Sequence, residues 1–195
     1  MKRFKRGLLI FIPLTLLAIA AAGATYAAFT DRGTVAGSSF SVGSGDIKLL
    51  ESLTAGIGEE NLKDEMAGPG FENIGPNWEE AYLLKIYNNA TTDINLTSNA
   101  NYETTNDPEE LRQLIYVEPI EWDDVNQDGI LDSDETGDSL GRKTIVKWKT
   151  EGYDLGQVPQ GTVKSLILKF STDEVSNTKQ GAGAVFDFEF DAIQL

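Results

Sequence analysis

Between residues 186 and 192 the side chains Phe186, Phe188, Phe190 and Ala192 alternate with Asp187, Glu189 and Asp191. A period of two puts every apolar group on one face and every acid on the other, the pattern of a β-strand with one side buried. The three phenylalanines therefore belong at the centre of a core, and the fold must supply a second surface to cover them. A ligand-binding stripe is the alternative use of the same face.

Strand composition recurs along the chain. Ile47, Leu49 and Leu50 follow a Gly43-Ser44-Gly45 turn and open the first firm strand. Residues 80–88 read as a strand that Asn88-Asn89 turns back into a second one over 94–98, a hairpin. Further strands are expected over 115–122, interrupted by Pro119, over 145–149 with Val146 and Trp148 facing one way, and over 163–171, where Leu166, Leu168 and Phe170 alternate with Ile167 and Lys169. Helix is scarce. Asp107 as cap, Pro108 in the first turn and Glu109 and Glu110 against the positive dipole end begin one short helix. Residues 59–66 offer a second inside a Gly/Pro/Asn-rich loop over 57–77, and 153–161 read as a turn-rich connection. Seven to nine strands with one or two short helices specify an all-β fold, an antiparallel, jelly-roll-like β-sandwich forming one domain over 28–195.

The chain opens as an exported protein does. Lys2, Arg3, Lys5 and Arg6 form a basic start, residues 8–22 are apolar, and the small residues Thr25 and Ala27 fit a signal-peptidase site between Ala27 and Ala28. Residues 1–27 are thus expected to be a cleaved signal peptide, with membrane contact only before processing. A retained anchor is one alternative, since the apolar run is just long enough for a bilayer at about 20 residues. A pilin-type leader cut at Gly7 is another, although Ile12 stands where such helices carry an acid.

Removing residues 1–27 takes away four of the 16 basic residues and none of the 31 acidic ones, leaving a charge of about −19. Such a surface repels nucleic acid and anionic lipid, and favours divalent cations or basic partners. Cysteine is absent, so the fold holds by its core or by metal. Histidine is absent too, which removes the usual zinc ligand, the usual general base and every His-containing triad. No Ser nucleophile has a base beside it, and the chain is not expected to be an enzyme. Asn89-Ala90-Thr91 and Asn95-Leu96-Thr97 fit the glycosylation acceptor pattern.

The most specific chemical signal lies within an expected insertion over 121–136. Asp124, Asn126 and Asp128 fill the first, third and fifth positions of a calcium loop. Gly129 fills the sixth, Ile130 supplies a backbone carbonyl, Asp132 is ninth and Glu135 twelfth. A hard cation takes six to eight oxygens, the glycine permits the turn that gathers them, and the final Glu closes the shell. The flanks read as strands, so a structural Ca2+ site in a β-protein is expected, not a helix-loop-helix sensor. A solvated acidic loop is the alternative.

Both ends of the chain carry a resemblance. Gly23-Ala24-Thr25-Tyr26-Ala27-Ala28-Phe29-Thr30-Asp31, with Ser39-Phe40-Ser41-Val42-Gly43-Ser44-Gly45-Asp46-Ile47-Lys48-Leu49 after it, resembles the leader and first strand of the TasA/camelysin family. Asn177-Thr178-Lys179-Gln180-Gly181 and the terminal Asp191-Ala192-Ile193-Gln194 are similar to that family's closing motif, while the middle matches by strand pattern alone. The resemblance implies a secreted jelly-roll subunit of extracellular biofilm-matrix fibres, exported through a SipW-type signal peptidase. It implies self-assembly by donation of the mature N-terminal strand to the next copy, with accessory matrix proteins as further partners. Residues 28–45 are the candidate donor, carrying Phe29, Val35, Phe40 and Val42, and at about 3.3 Å per residue they can reach a neighbour. The family shows no counterpart of the calcium loop. The peptidase label attached to camelysin finds no support in a chain without His, and a non-polymerising calcium-binding adhesin or anchored surface module is the stronger alternative.

Overall fold

The computed structural model describes residues 33–35, 37–44, 46–179 and 181–195. The leader, the cleavage residues Ala27 and Ala28, and Phe29 lie outside the described residues. The strands in chain order are β1 (Gly33–Val35), β2 (Ser39–Ser44), β3 (Ile47–Leu50), β4 (Leu62–Lys63), β5 (Glu65–Ala67), β6 (Phe71–Ile74), β7 (Glu79–Asn88) and β8 (Ile94–Asn101). There follow β9 (Ile115–Trp122), β10 (Thr136–Ser139), β11 (Lys143–Thr144), helix α1 (Ile145–Glu151), β12 (Tyr153–Val158), β13 (Val163–Thr172), β14 (Gly183–Ala184) and β15 (Asp187–Gln194).

These strands build two main sheets. One has seven strands in the order β10-β9-β13-β7-β3-β4, with β11 also on β9; the other has five, β12-β8-β15-β2-β5. A small third sheet, β14-β1-β6, accompanies them. The main sheets face each other as a sandwich whose filling is aromatic: Phe188 of β15 lies 5.7 Å from Phe170 of β13, and Phe40 of β2 lies 5.0 Å from Tyr82 of β7, centroid to centroid. The period-two expectation holds along β15, where Phe188, Phe190 and Ala192 are buried and Glu189 is exposed, with Phe186 buried just ahead of the strand. The same alternation buries Leu166, Leu168 and Phe170 of β13. The sheets are not wholly antiparallel, because β2 runs parallel to β15 and β1 parallel to β14.

Several local expectations are corrected. Residues 145–149 form a helix. Thr144 caps it by accepting from Lys147 N, Gly152 stops it at φ 66°, and Ile145 and Trp148, three apart, are its buried residues. Residues 153–158 are not a bare connection but the edge strand β12. The Gly/Pro-rich stretch 57–77 is spent on three short edge strands, β4, β5 and β6, and of the helix expected over 59–66 only a 3-10 turn at Glu59–Asn61 forms. β7 and β8 make no hairpin, because they lie in different sheets. Asn88, fully buried, organises that crossover: its Nδ2 donates to Thr92 O (3.0 Å) and Val158 O (2.9 Å), and its Oδ1 accepts from Ala90 N (2.9 Å).

The helix expected to start at Asp107 does not form: residues 108–110 are not helical, and a single 3-10 turn, Leu111–Gln113, has Glu110 at its N-cap position, although its first two amides bond to Asp107. The Asp107 carboxylate accepts from Leu111 N at 2.7 Å and Arg112 N at 3.1 Å and pairs with Arg112 Nη1 at 2.9 Å, with no exposed surface of its own. Removing the Asp107 carboxylate leaves the Leu111 and Arg112 amides without their acceptor and the mostly buried Arg112 guanidinium with only the exposed Glu110 carboxylate, 3.0 Å from Nη2. Asp107→Ala is therefore expected to cost about 3–5 kcal/mol, read as a lower denaturant midpoint with an unchanged slope.

A second tie crosses between the sheets. The Tyr153 hydroxyl of β12 donates to Val117 O of β9 at 2.7 Å, with Gly141 O at 3.1 Å. Burial pushes its pKa up from the ordinary phenol value, so it stays a donor throughout the neutral range.

Candidate functional site

The calcium-loop residues connect β9 to β10, adjacent antiparallel strands whose last register pair is Thr136 with Trp122. One further hydrogen bond, Asp123 N to Glu135 O at 2.9 Å, closes the neck. Beyond it the chain turns on its own side chains. Asp124 Oδ2 accepts from Gly129 N (3.2 Å), Asn126 Oδ1 from Asp128 N (2.9 Å) and Asp128 Oδ1 from Ile130 N (2.8 Å). Asx side chains bonding to backbone two or more residues on are what winds a polar segment into a tight loop. Gly129 is required twice: its φ is 71°, and a Cβ there would stand 2.9 Å from Thr54 Cγ2 and 3.0 Å from Leu53 Cβ.

Glu135, the twelfth residue, is 4% exposed. Its Oε2 accepts from Trp122 Nε1 and Asp132 N, and its Oε1 from Val125 N, each at 3.2 Å. Asn126, Asp128 and Asp132 are exposed, and the Asn126 amide nitrogen bridges the two acids, 3.1 Å from Asp128 Oδ2 and 3.3 Å from Asp132 Oδ2. Ile130, whose carbonyl would be the seventh-position ligand, is 62% exposed. Among the described residues no three acidic side chains are gathered closely enough to hold a metal ion as they stand. The reasons are local: an amide N–H sits where the acids meet, and Glu135 is turned to three N–H donors.

One oxygen of the loop is placed to accept a cation. Asp124 has a side chain only 2% exposed, and its Oδ1 is buried with no hydrogen-bond partner. A buried carboxylate oxygen without a donor costs free energy that a bound cation would recover. The donor set is all oxygen, suited to a hard cation. In chemistry the loop fits calcium; to complete the shell Asn126 and Glu135 must reorient.

The side chain nearest the loop that sequence reasoning missed is Lys85 of β7. It is 7% exposed and donates to Asp124 Oδ2 at 2.5 Å and to Leu53 O at 2.8 Å, with its ammonium 5.0 Å from the centroid of the Trp122 ring. It lies 39 residues from Asp124 on the opposite strand face from the core residues Leu84 and Ile86, so no local spacing advertises it. Lys85, Asp124, Trp122 and Leu53 line a cleft of about 820 Å³ that also takes in Val163 and Lys164.

The expected assembly residues fall in two places. Val35 lies in β1, between β14 and β6, and is buried. Phe40 of β2 is fully buried, with its ring 5.3 Å from Phe188 and 6.0 Å from Phe190, and Val42 is half-buried against the same core. Ser39 fastens β2 to β15, its N and Oγ both donating to Asp187 Oδ1 (3.2 and 2.8 Å). Within one chain, then, β2 fills the gap between β15 and the three-residue edge strand β5.

Compared with known families and curated proteins, the chain matches no family model and no curated protein.

Proposed function

We propose that this chain is a secreted structural subunit of extracellular biofilm-matrix fibres, polymerising by passing its N-terminal strand into the sheet of the next copy, with a calcium-stabilised loop. The observation that carries the reading is the position of β2. It is the first strand of the five-stranded sheet in sequence, it runs parallel to the last, and its fully buried Phe40 sits among the aromatic rings of the core. A terminal strand held by backbone pairing and one deep anchor can come from another copy at little cost in contacts. A heterologous exchange of that kind yields a filament when the rotation from copy to copy does not close. The sandwich is compatible with the jelly-roll that the TasA/camelysin resemblance implies, and the heavy negative charge would resist lateral bundling until salt or calcium screens it.

The intramolecular pairing of β2 favours a second reading, a calcium-binding adhesin or anchored surface module that stays single. Electron microscopy of the processed protein with and without calcium separates the two. Filaments support strand exchange, and solitary particles under every salt and calcium condition exclude it. The intact mass should place the first residue at Ala28, as a SipW-type peptidase would leave it; a retained leader would favour the anchored module.

For the loop, calcium at about ten to a hundred times its dissociation constant should stabilise the wild-type fold by about 1.4–2.7 kcal/mol. Asp128→Ala, which removes an exposed fifth-position ligand bonded only within the loop, is expected to abolish that increment and leave metal-free stability nearly unchanged. Equal calcium responses of the two proteins in thermal melts would place the metal elsewhere.

A further inference from the structure

We propose that Lys85 is a built-in counter-cation of the calcium loop, holding the first ligand in place without metal and setting the site to low affinity. The inference rests on the reading of residues 124–135 as a calcium site and adds to it the residue that tunes that site.

The Asp124 carboxylate is divided. Its Oδ2 is claimed by Gly129 N and by the Lys85 ammonium, while its Oδ1 is buried and unclaimed. A carboxylate with one oxygen saturated by an internal cation and the other bare is poised to accept a second cation on the bare side. The two would then share one ligand. Lys85 cannot readily withdraw, because its amine also donates to Leu53 O and its side chain is walled by the Trp122 ring. Charges of the same sign on one carboxylate oppose each other strongly where solvent is scarce, and the side chains of both Lys85 and Asp124 are at least nine-tenths buried.

Two consequences follow. Without metal the ammonium compensates the buried carboxylate, so the loop keeps its winding and its contact with residues 53 and 54. With metal the ammonium weakens binding, which moves the site toward the roughly 10⁻⁴–10⁻³ M range of extracellular modules.

The test compares wild type, Lys85→Met and Lys85→Gln as full-length processed protein, titrated with calcium by calorimetry and with terbium by luminescence excited through the tryptophans. Trp122, whose indole N–H donates to Glu135, is the nearest donor to the site. Both neutral variants are expected to bind calcium at least about tenfold more tightly than wild type, to melt at lower temperature without metal, and to regain most of the loss when calcium is added. Should one variant fail to fold without metal, its melt in saturating calcium and the titration of the other still decide the matter. Unchanged or weaker affinity in the neutral variants would overturn the proposal and leave Lys85 as a packing ion pair. If wild type and variants alike take up neither calcium nor terbium, the calcium reading itself falls, and this inference with it.

Discussion

A chain shortened to begin after β2 is expected to lose its fold at room temperature, and a peptide spanning residues 33–44 added in trans is expected to restore it. Phe40 alone packs against Phe188, Phe190 and Tyr82, and truncating a buried Phe typically costs about 3–5 kcal/mol. The deletion also removes the pairing of β2 with β15 and β5 and of β1 with β14 and β6. Against a net stability of about 5–15 kcal/mol, that loss is decisive. The bare edge of β15 then offers backbone groups and an apolar trough that a strand of the right register fills. Circular dichroism should show a lost cooperative melt in the shortened chain and its recovery with peptide. Recovery should fail with a peptide in which Phe40 is replaced by Asp. A shortened chain that melts like wild type would remove β2 from the core and strand exchange from the proposed function.

Trp148→Ala should be the most destabilising single substitution outside β2. Trp148 has no exposed surface, stacks on Phe188 with centroids 4.8 Å apart and planes 24° from parallel, meets Tyr153 edge-on at 5.5 Å, and donates from Nε1 to Ser98 O at 3.1 Å. The variant leaves a large cavity beside the last strand and strips a buried carbonyl of its donor. About 4–5 kcal/mol is expected, which in a domain of this size lowers the melting temperature by roughly 10–15 °C. A loss below about 2 kcal/mol would mean that α1 collapses into the space, and that the helix is a movable cover instead of a fixed part of the core.

The reading of 145–149 shows where periodicity misleads. Ile-Val-Lys-Trp-Lys has strand composition, and over five residues a period of two and a period of 3.6 are hard to tell apart. What decides for helix is outside the apolar residues: Thr144 accepting from Lys147 N, and Gly152 free to take a positive φ. The hairpin expected at Asn88-Asn89 failed for a different reason. Asn88 does end β7, as a turn residue should, but whether the chain then pairs with itself or crosses to the facing sheet is tied to the bond from Asn88 to Val158 O, 70 residues away.

What the sequence by itself determined was everything that repeats within a few residues. The alternation in 186–192 dictated a half-buried strand because side chains two apart share a face. The order of oxygens and the glycine in 124–135 dictated a wound acidic loop because each Asx side chain bonds to backbone only two to five residues on. The tertiary structure alone decided what lies against these pieces: that β2 runs parallel to β15 inside its own chain, that β7 and β8 part into facing sheets, and that the ammonium of Lys85 reaches Asp124. Such partners are fixed by the closing of the sandwich around one aromatic core, and residues that distant carry no mark in the sequence of where they will meet.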